Sequence, residues 1–320
     1  MPLVDMPLSE LRTYCPELTA EVDFDSFWQQ YREESAQKPL HATLTLIDYP
    51  IKSIEVYRLQ YEGIDGTPIR GWYIVPKSPL AKKPMPVVIH YHGYSGNAGK
   101  PHDYLTWASM GIATITVDTR GQAGHTPDHA RYASGAVIGW MTLGIEDPHQ
   151  YYYKYAYMDC VRAIDFAVSR EELDSLRIAL TGNSQGGGLV LAVAGIDARP
   201  KLAMPIFPYL THFKRAVELH TQGPYVEIKN WFRMYDPEHL REDEIYRTLS
   251  YFDGMNHAAR IRAKTLMAIT LQDVICPPST CFAAYHHLSC DKELRVYPDY
   301  GHEALPFHTE EMMRFVHMHL

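Results

Sequence analysis

Short runs of apolar residues alternate with longer stretches of helical period along most of the chain. Glycine, proline or a polar turn ends each run, and the runs lie at Val87–Tyr91, Ile112–Val117, Ile178–Leu180, Leu202–Phe207, Leu266–Leu271 and Leu294–Tyr297. Helical period is found at Tyr155–Val168, Gly187–Ile196, Thr280–Leu288 and Thr309–His319. Because a strand buried on both faces has no solvated side to make polar, this pattern predicts an α/β protein with a doubly wound, mostly parallel sheet.

The first third of the chain predicts two further features. Rough helical spacing in the first 40 residues predicts an N-terminal helical extension over residues 1–45, and its apolar positions are Leu11, Tyr14, Leu18, Val22 and Phe24. After it, Ile54–Tyr61 and Ile69–Val75 flank the turn Gly63–Gly66. Two β-rich runs around such a turn predict an antiparallel hairpin that leads into the parallel sheet.

Between Pro208 and Arg262 the alternation stops, and aromatic residues stand among charged ones without a clear strand. We interpret residues 209–262 as a helical insertion at the rim of the sheet, within a single domain that spans residues 1–320. Such an insertion would cover a site or contact another subunit. Ordinary helices packed on their own core would show the same composition, so the two interpretations stay open.

The charge and the cysteine content limit which binding partners and which cellular location are expected for the protein. Thirty Lys and Arg against 38 Asp and Glu give a net charge of −8, so the chain has no basic field to attract nucleic acid or an anionic membrane. The start of the chain lacks the basic flank and apolar run of a secretory signal, and no segment reaches the roughly 18 apolar residues of a membrane span. Five cysteines without a CxxC pair fit reduced thiols. These features predict a cytoplasmic protein.

The most specific motif is Gly182-Asn183-Ser184-Gln185-Gly186, a G-x-S-x-G sequence between a predicted strand and a predicted helix. In this context the serine occupies a sharp, strained turn, and glycines on either side let neighbouring backbone approach. The following helix directs its free N–H groups at the same point, which favours developing negative charge. We therefore predict that Ser184 is a nucleophile.

A serine nucleophile needs an imidazole base and a carboxylate that orients the base. In this kind of fold the carboxylate and then the histidine follow the serine, and both come from carboxyl ends of strands. Asp273 and His302 meet these conditions, since each follows a predicted strand. Asp299 is a second candidate for the acid, although its place in the loop of His302 favours a turn-forming role. The other histidines that we weighed fit this order less well: His90, His92, His308, His317 and His319.

Acyl transfer also needs N–H donors that stabilise a tetrahedral oxyanion. We predict that the backbone N–H groups of Gln185 and Tyr94 supply them, because Tyr94 lies in a loop directly after the strand Val87–Tyr91. The sequence holds no recognisable metal-ligand set and no dinucleotide-binding GxGxxG, so we expect chemistry without a metal or cofactor.

Five separated blocks together resemble carbohydrate esterase family 7, the acetyl xylan esterases and cephalosporin C deacetylases of the α/β-hydrolase superfamily. The resemblance extends over nearly the whole chain, including the aromatic insertion, and the blocks are HGYSG at 92–96, DTRGQ at 118–122, GNSQGG at 182–187, DVICPPST at 273–280 and YPDYGHE at 297–303. Small departures are Ser95, where the family often has Asn, and Ile275 in place of Val.

The resemblance implies an α/β-hydrolase fold and the same triad, Ser184, Asp273 and His302, with the amides of Tyr94 and Gln185 as oxyanion donors. It also implies that Arg120 and Gln122, the Arg-Gly-Gln signature, support the site structurally. Members act inside the cell on small acetylated molecules, chiefly xylo-oligosaccharides and also cephalosporin C, and commonly form hexamers. We therefore expect a homo-oligomer with small acetylated substrates, a short acyl preference, and no nucleic-acid or membrane partner.

Two other functions are compatible with some of the same sequence features. Serine peptidases with an α/β-hydrolase domain share the triad order, but they normally carry an additional large domain that this length does not accommodate. A non-catalytic scaffold or sugar-binding module is disfavoured because serine, histidine and aspartate are all present in the expected order.

Overall fold

A nine-stranded sheet forms the centre of the computed structural model, which describes residues 4–77, 83–133, 137–219 and 222–320. The strands are β1 Thr43–Ile47, β2 Ile54–Glu62, β3 Pro68–Pro76, β4 Met85–Tyr91, β5 Ala113–Val117, β6 Leu173–Asn183, β7 Leu202–Ile206, β8 Lys264–Thr270 and β9 Lys292–Tyr297. Their order in the sheet is β1-β2-β3-β5-β4-β6-β7-β8-β9. Neighbours from β1 to β5 pair antiparallel, and all pairs from β5 through β4 to β9 are parallel.

Helices cover both faces of this sheet. They are α1 Leu8–Leu11, α2 Phe24–Ala36, α3 Leu105–Ser109, α4 Tyr152–Val168, α5 Gln185–Ile196, α6 Phe213–Leu219, α7 Val226–Tyr235, α8 Glu242–Ser250, α9 Gly254–Ala258, α10 Pro278–His287 and α11 Pro306–His319, with a short 3-10 helix at Pro101–Tyr104. Among the described residues, no helix is both long enough and apolar enough to cross a membrane.

Alternating side chains of the central strands divide the core into two layers. Val87 and Ile89 of β4 pack with α2, α4, α5 and α10 on one face, whereas Val88 packs with Trp107 and α11 on the other. Because successive side chains of a strand point to opposite faces, a strand with helices on both sides must be apolar throughout. This confirms the predicted α/β architecture.

The six predicted parallel strands and the hairpin are present, with ends that move by a few residues. The N-terminal prediction is partly wrong, because residues 12–23 are not helical between α1 and α2. Pro16 lies in that segment and disfavours a continuous helix. Leu18 and Val22 are exposed, so the helical spacing of these apolar residues does not mark the buried face of a helix. Sequence reasoning also missed β1 and the short α3.

The expected insertion at 209–262 contributes α6 to α9 among its described residues. Its bounds, the extension over 1–45 and the single-domain assignment stay predictions. Residues 1–3 of the expected extension and residues 220 and 221 of the expected insertion lie outside the described residues.

Several histidines lie in the core, where they are held uncharged. Burial lowers the pKa of His90, His212 and His308 to about 4 and that of His257 to about 3. An unfolded chain protonates these imidazoles near pH 6.5, so as the pH falls below that value the unfolded state binds more protons than the folded state. Stability is therefore lost as the pH falls from about 6.5 towards 4.

We predict that the free energy of unfolding falls between pH 7 and pH 5, by on the order of 2 kcal/mol for each buried imidazole. Burial raises the pKa of Asp159 and Asp253 to about 6, and these two carboxyls oppose the trend by a smaller amount. Urea unfolding at the two pH values measures the effect. His308→Gln should weaken the pH dependence, whereas His317→Gln, on the exposed side of the same helix, should not. Equal stability at pH 7 and pH 5 would contradict the prediction.

Candidate active site

Ser184 lies between β6 and α5 in a backbone conformation that non-glycine residues rarely adopt, with φ 56° and ψ −121°. Three backbone hydrogen bonds hold it there: its N–H donates to the Ile206 carbonyl at 3.0 Å, and its carbonyl accepts from Gly188 at 3.0 Å and Tyr209 at 2.9 Å. Strain of this kind persists only where the surroundings over-determine it. The sharp turn expected from the motif is therefore present.

The glycines of the motif allow this turn to approach strand β4. A Cβ on Gly186 would lie 2.0 Å from the Tyr91 carbonyl oxygen, and one on Gly182 would lie 2.6 Å from the same atom. Both distances are far below van der Waals contact, so neither position accepts a side chain without displacing backbone. The sequence G-x-S-x-G is thus a packing requirement of two adjacent strands and the helix that follows.

Asp273 and His302 meet beyond the ends of β8 and β9. His302 Nδ1 lies 2.8 Å from Asp273 Oδ2, while Asp273 Oδ1 accepts from the backbone N–H groups of Ile275 and Cys276, each at 2.8 Å. The carboxylate is fully buried and the imidazole side chain is 26% exposed. A carboxylate accepting at Nδ1 fixes the tautomer that leaves Nε2 free as an acceptor.

Ser184 and His302 both line a cavity of about 350 Å³. Its lining residues are Gly93, Tyr94, Ser95, Asn183, Ser184, Tyr209, Pro224, Ile275 and His302. Ser184 Oγ lies 4.0 Å from Cys276 Sγ, and within the described ranges no hydrogen bond joins this hydroxyl to His302. Catalytic hydrogen bonds are often loose without substrate and tighten in the complex.

Two free backbone donors flank the serine. The N–H of Gln185 begins α5, and the N–H of Tyr94 follows the end of β4; neither donates to another group of the described residues. Gly93 brings the Tyr94 loop beside the nucleophile, since a Cβ at Gly93 would lie 3.9 Å from Ser184 Cβ. Both predicted oxyanion donors therefore belong to segments that meet at Ser184.

Gln122 connects these two segments. Its Oε1 accepts from the Ser95 N–H at 2.9 Å and from Gln185 Nε2 at 3.1 Å, and its Nε2 donates to Gln185 Oε1 at 2.9 Å and to Tyr152 Oη at 3.1 Å. The side chain is buried, so loss of these bonds would leave several buried polar groups without partners. Gln122 fixes the distance between the Tyr94 loop and the start of α5.

Arg120 is fully buried and is not among the described residues that line the cavity. Its guanidinium makes bidentate hydrogen bonds to Asp159, at 2.7 and 2.8 Å, and to Asp65, at 2.7 and 3.0 Å. Burial raises the pKa of Asp159 to about 6 against the opposing charge of Arg120. At Asp65 the arginine outweighs burial and lowers the pKa to about 2. Tyr152 donates to the Arg120 carbonyl at 2.6 Å, so this ion cluster supports the residue that also binds Gln122.

The alternative candidates lie elsewhere. Asp299 is exposed, and the carboxylate at His302 is that of Asp273. His92 holds the Tyr94 loop, with Nδ1 2.7 Å from the Gly93 carbonyl and Nε2 accepting from the Thr119 N–H at 2.8 Å. His90 belongs to β4 and is half-buried, and His308 is buried near the start of α11. His317 is exposed and His319 is half-buried near the end of the same helix.

Sequence reasoning missed two residues of this site. Glu227 of α7 accepts from Tyr94 Oη at 2.7 Å and from the Met141 N–H at 2.9 Å, which anchors the helical region to the Tyr94 loop. Cys276 lies next to both Ser184 and Asp273, and its thiol is one of three candidate metal-ligand groups with Asp273 and His302. Glu227 stands in no pattern that signals a role, and Cys276 lies in the block at 273–280 without a chemical signal of its own. The contacts of Glu227 with Tyr94 and of Cys276 with Ser184 join segments that are distant in the chain.

Comparison with known proteins identifies relatives over the whole chain. The family model described as acetyl xylan esterase (AXE1) matches residues 1–319. A solved acetyl xylan esterase from Paenibacillus sp. R4 is 63% identical, with a TM-score of 0.96, and the match covers 98% of this chain and 100% of that one. Acetyl esterase Axe7A of Xylanibacter ruminicola is 27% identical over 282 residues, which are 86% of this chain but 62% of that protein.

A more distant structure shows the fold alone. The α/β hydrolase GrgF from Penicillium sp. sh18 has a TM-score of 0.59 at 18% identity, with 82% of this chain and 98% of that one covered. This likeness and the strand order confirm the α/β-hydrolase fold implied by the sequence resemblance.

We predict that Gln122→Leu slows labelling of Ser184 by a fluorophosphonate by about tenfold or more, because a misplacement near 1 Å costs on this order. The leucine fills a similar volume but offers no acceptor to the Ser95 N–H. Mass spectrometry of the adduct over time measures the rate, and circular dichroism checks folding. Gln30→Leu on the exposed face of α2 is the matched control. An unchanged labelling rate in folded Gln122→Leu would exclude the positioning role.

Proposed function

The chain belongs to the acetyl xylan esterase family, and on that premise we propose that it is a serine esterase that deacetylates small carbohydrates. The observation that carries the proposal is the cavity of about 350 Å³, whose lining includes both Ser184 and His302, with the buried Asp273 carboxylate 2.8 Å from His302. The chain spans 62% of the length of its curated relative Axe7A, so the activity of this protein rests on the site itself.

In the proposed reaction Ser184 Oγ attacks the acetyl carbonyl carbon while His302 accepts the hydroxyl proton. The carbonyl becomes a tetrahedral oxyanion, and its collapse releases the sugar alcohol, which takes the proton from His302. A water molecule then attacks the acetyl-enzyme with His302 again as the base, and acetate leaves. The 2.8 Å contact to Asp273 supports this role because it stabilises the imidazolium formed in each step.

Stabilisation of the oxyanion is the second part of the proposal. The N–H groups of Tyr94 and Gln185 are its donors, and each is worth roughly 3 kcal/mol in typical enzymes. Gln122 and Arg120 are positioning residues. Gln122 hydrogen-bonds to both donor segments, and the Arg120 carbonyl accepts a hydrogen bond from Tyr152, which in turn binds Gln122. Preorganised donors cost no reorganisation when the charge develops.

Substrate size follows from the walls of the cavity. Ile275, Pro224 and the ring of Tyr209 are apolar surfaces close to the serine, which suits an acetyl group better than a long acyl chain. We propose acetylated xylo-oligosaccharides as the main substrates and the acetyl ester of cephalosporin C as a further one. Five free cysteines support a cytoplasmic location, and we propose the homohexameric assembly of the family, which light scattering tests.

Ser184→Ala should reduce acetate release from acetylated xylo-oligosaccharides and from cephalosporin C by on the order of 10⁵-fold or more, as typical for removal of a serine nucleophile. Acetate is measured by a coupled assay, and Ser109→Ala, at an exposed serine of α3, serves as the control. Substantial residual activity would identify another nucleophile. Cleavage of a peptide amide in preference to both esters would favour the peptidase alternative.

We expect turnover of nitrophenyl esters to fall from acetate through butyrate to octanoate, because the apolar wall near Ser184 limits acyl length. Ile275→Ala removes part of that wall and should raise the butyrate-to-acetate ratio of kcat/KM about tenfold, since one methylene in a hydrophobic pocket is worth about 1–3 kcal/mol. Rates that stay equal or rise with chain length in the unmodified protein would exclude a short acyl pocket.

A further inference from the structure

Three different ligand groups converge beside the nucleophile: the Asp273 carboxylate, the Cys276 thiol and the His302 imidazole. One ligand atom from each lies within 4.8 Å of the other two. We propose that these residues form a reversible binding site for a borderline-soft divalent cation such as Zn²⁺, and that a bound cation and a reacting ester exclude each other.

The donor set suits zinc rather than a hard cation. Zinc binds thiolate, imidazole and carboxylate, whereas Mg²⁺ and Ca²⁺ prefer oxygen alone. Tetrahedral bonds of about 2.0–2.3 Å place the ligand atoms about 3.4–3.6 Å apart. The His302 Nδ1–Asp273 Oδ2 separation must open from 2.8 Å, and the separations from Cys276 Sγ must close from at most 4.8 Å. Shifts near 1 Å achieve both, and His302 is the residue with freedom to move because its side chain is 26% exposed.

Neighbouring groups hold the Asp273 carboxylate in place but leave the Cys276 thiol without a strong hydrogen-bond partner among the described residues. Two backbone N–H groups hold Asp273 Oδ1, so Oδ2 is the atom that faces the imidazole. Cys276 Sγ has one polar contact among the described side chains, the distant Ser184 Oγ at 4.0 Å, and therefore loses no strong partner on binding a cation. The cavity beside His302 gives the ion an entry path and room for water as a fourth ligand.

Binding changes the protons in a defined way. The thiol loses its proton to solvent when the sulfur–metal bond forms. The proton of His302 Nδ1, which faces Asp273 Oδ2, is replaced by one that Nε2 takes up from solvent, so that Nδ1 offers its lone pair and one proton is released in total for each cation. Because the thiol must lose its proton before the sulfur binds, protons compete with the cation for this site. The imidazole then no longer accepts the Ser184 proton, which explains the exclusion between metal and ester.

Cobalt(II) is a spectroscopic probe of this site, because a cobalt–thiolate bond gives a charge-transfer band in the near ultraviolet. We expect the band on titration of the full-length protein and of Ser184→Ala, and its loss in Cys276→Ser and Cys276→Ala. Cys15→Ser, which removes an exposed cysteine 3.8 Å from His287 Nε2, should keep the band. A band that survives both Cys276 variants, or disappears in Cys15→Ser, would overturn the site.

Zinc inhibition tests the exclusion separately. Zn²⁺ should inhibit hydrolysis of nitrophenyl acetate reversibly, with activity restored by a chelator, and the half-inhibitory concentration should rise at least tenfold in Cys276→Ser. Loss of an outer-shell partner alone costs about 10–100-fold in metal affinity. Each variant is compared with its own metal-free rate. Equal inhibition of both proteins overturns the proposal, as does a cobalt band without inhibition of an active enzyme.

This inference uses the proposed esterase activity in one of its two tests only. If the protein shows no hydrolysis but binds cobalt through Cys276, the proposed function fails and the metal site stands. If hydrolysis is normal and Cys276 binds no cobalt, the metal site fails and the proposed function stands.

Discussion

The close approach of the Ser184 turn to strand β4 is the constraint on which the rest of the site depends. Two glycines let this turn lie against the Tyr91 carbonyl at distances that exclude any side chain. Strand β4 and the start of α5 are thereby locked together, so the loop after β4 and the first N–H of α5 converge on the serine. The strained backbone of Ser184 and the two free N–H groups beside it are consequences of one packing contact.

Polar residues behind the cavity preserve this alignment. Gln122 bonds to both donor segments, while Arg120 and its three carboxylate partners, Asp65, Asp128 and Asp159, anchor the backbone that binds the same tyrosine. Buried polar groups are costly unless all are paired, and here the partners come from β2–β3, α4 and the segment after β5. The site is therefore coupled to the whole sheet rather than carried by loops alone.

The proximity on which the proposed proton transfer depends is also the basis of the proposed cation site. An imidazole held by a buried carboxylate is a good base, and with a thiol nearby it becomes a ligand set for zinc. The proposed metal site follows from Cys276, whose backbone N–H orients Asp273 while its sulfur lies beside Ser184. Catalytic geometry and metal affinity compete for one set of atoms.

The sequence by itself determined the α/β architecture, the turn at Ser184 and the candidate triad. The periodicity of apolar residues, the spacing of glycines and the order of residues along the chain can all be read without knowing the fold. For residues 12–23 the sequence pattern wrongly predicted a helix, because Leu18 and Val22 are exposed and the helical spacing of apolar residues there does not correspond to a buried helix face. Only the tertiary structure decided that Asp273 rather than Asp299 holds His302, that Gln122 bridges the donors, and that Glu227 and Cys276 belong to the site. These contacts join segments up to 133 positions apart, and distances across a fold are set by packing of the whole sheet, which no local pattern encodes.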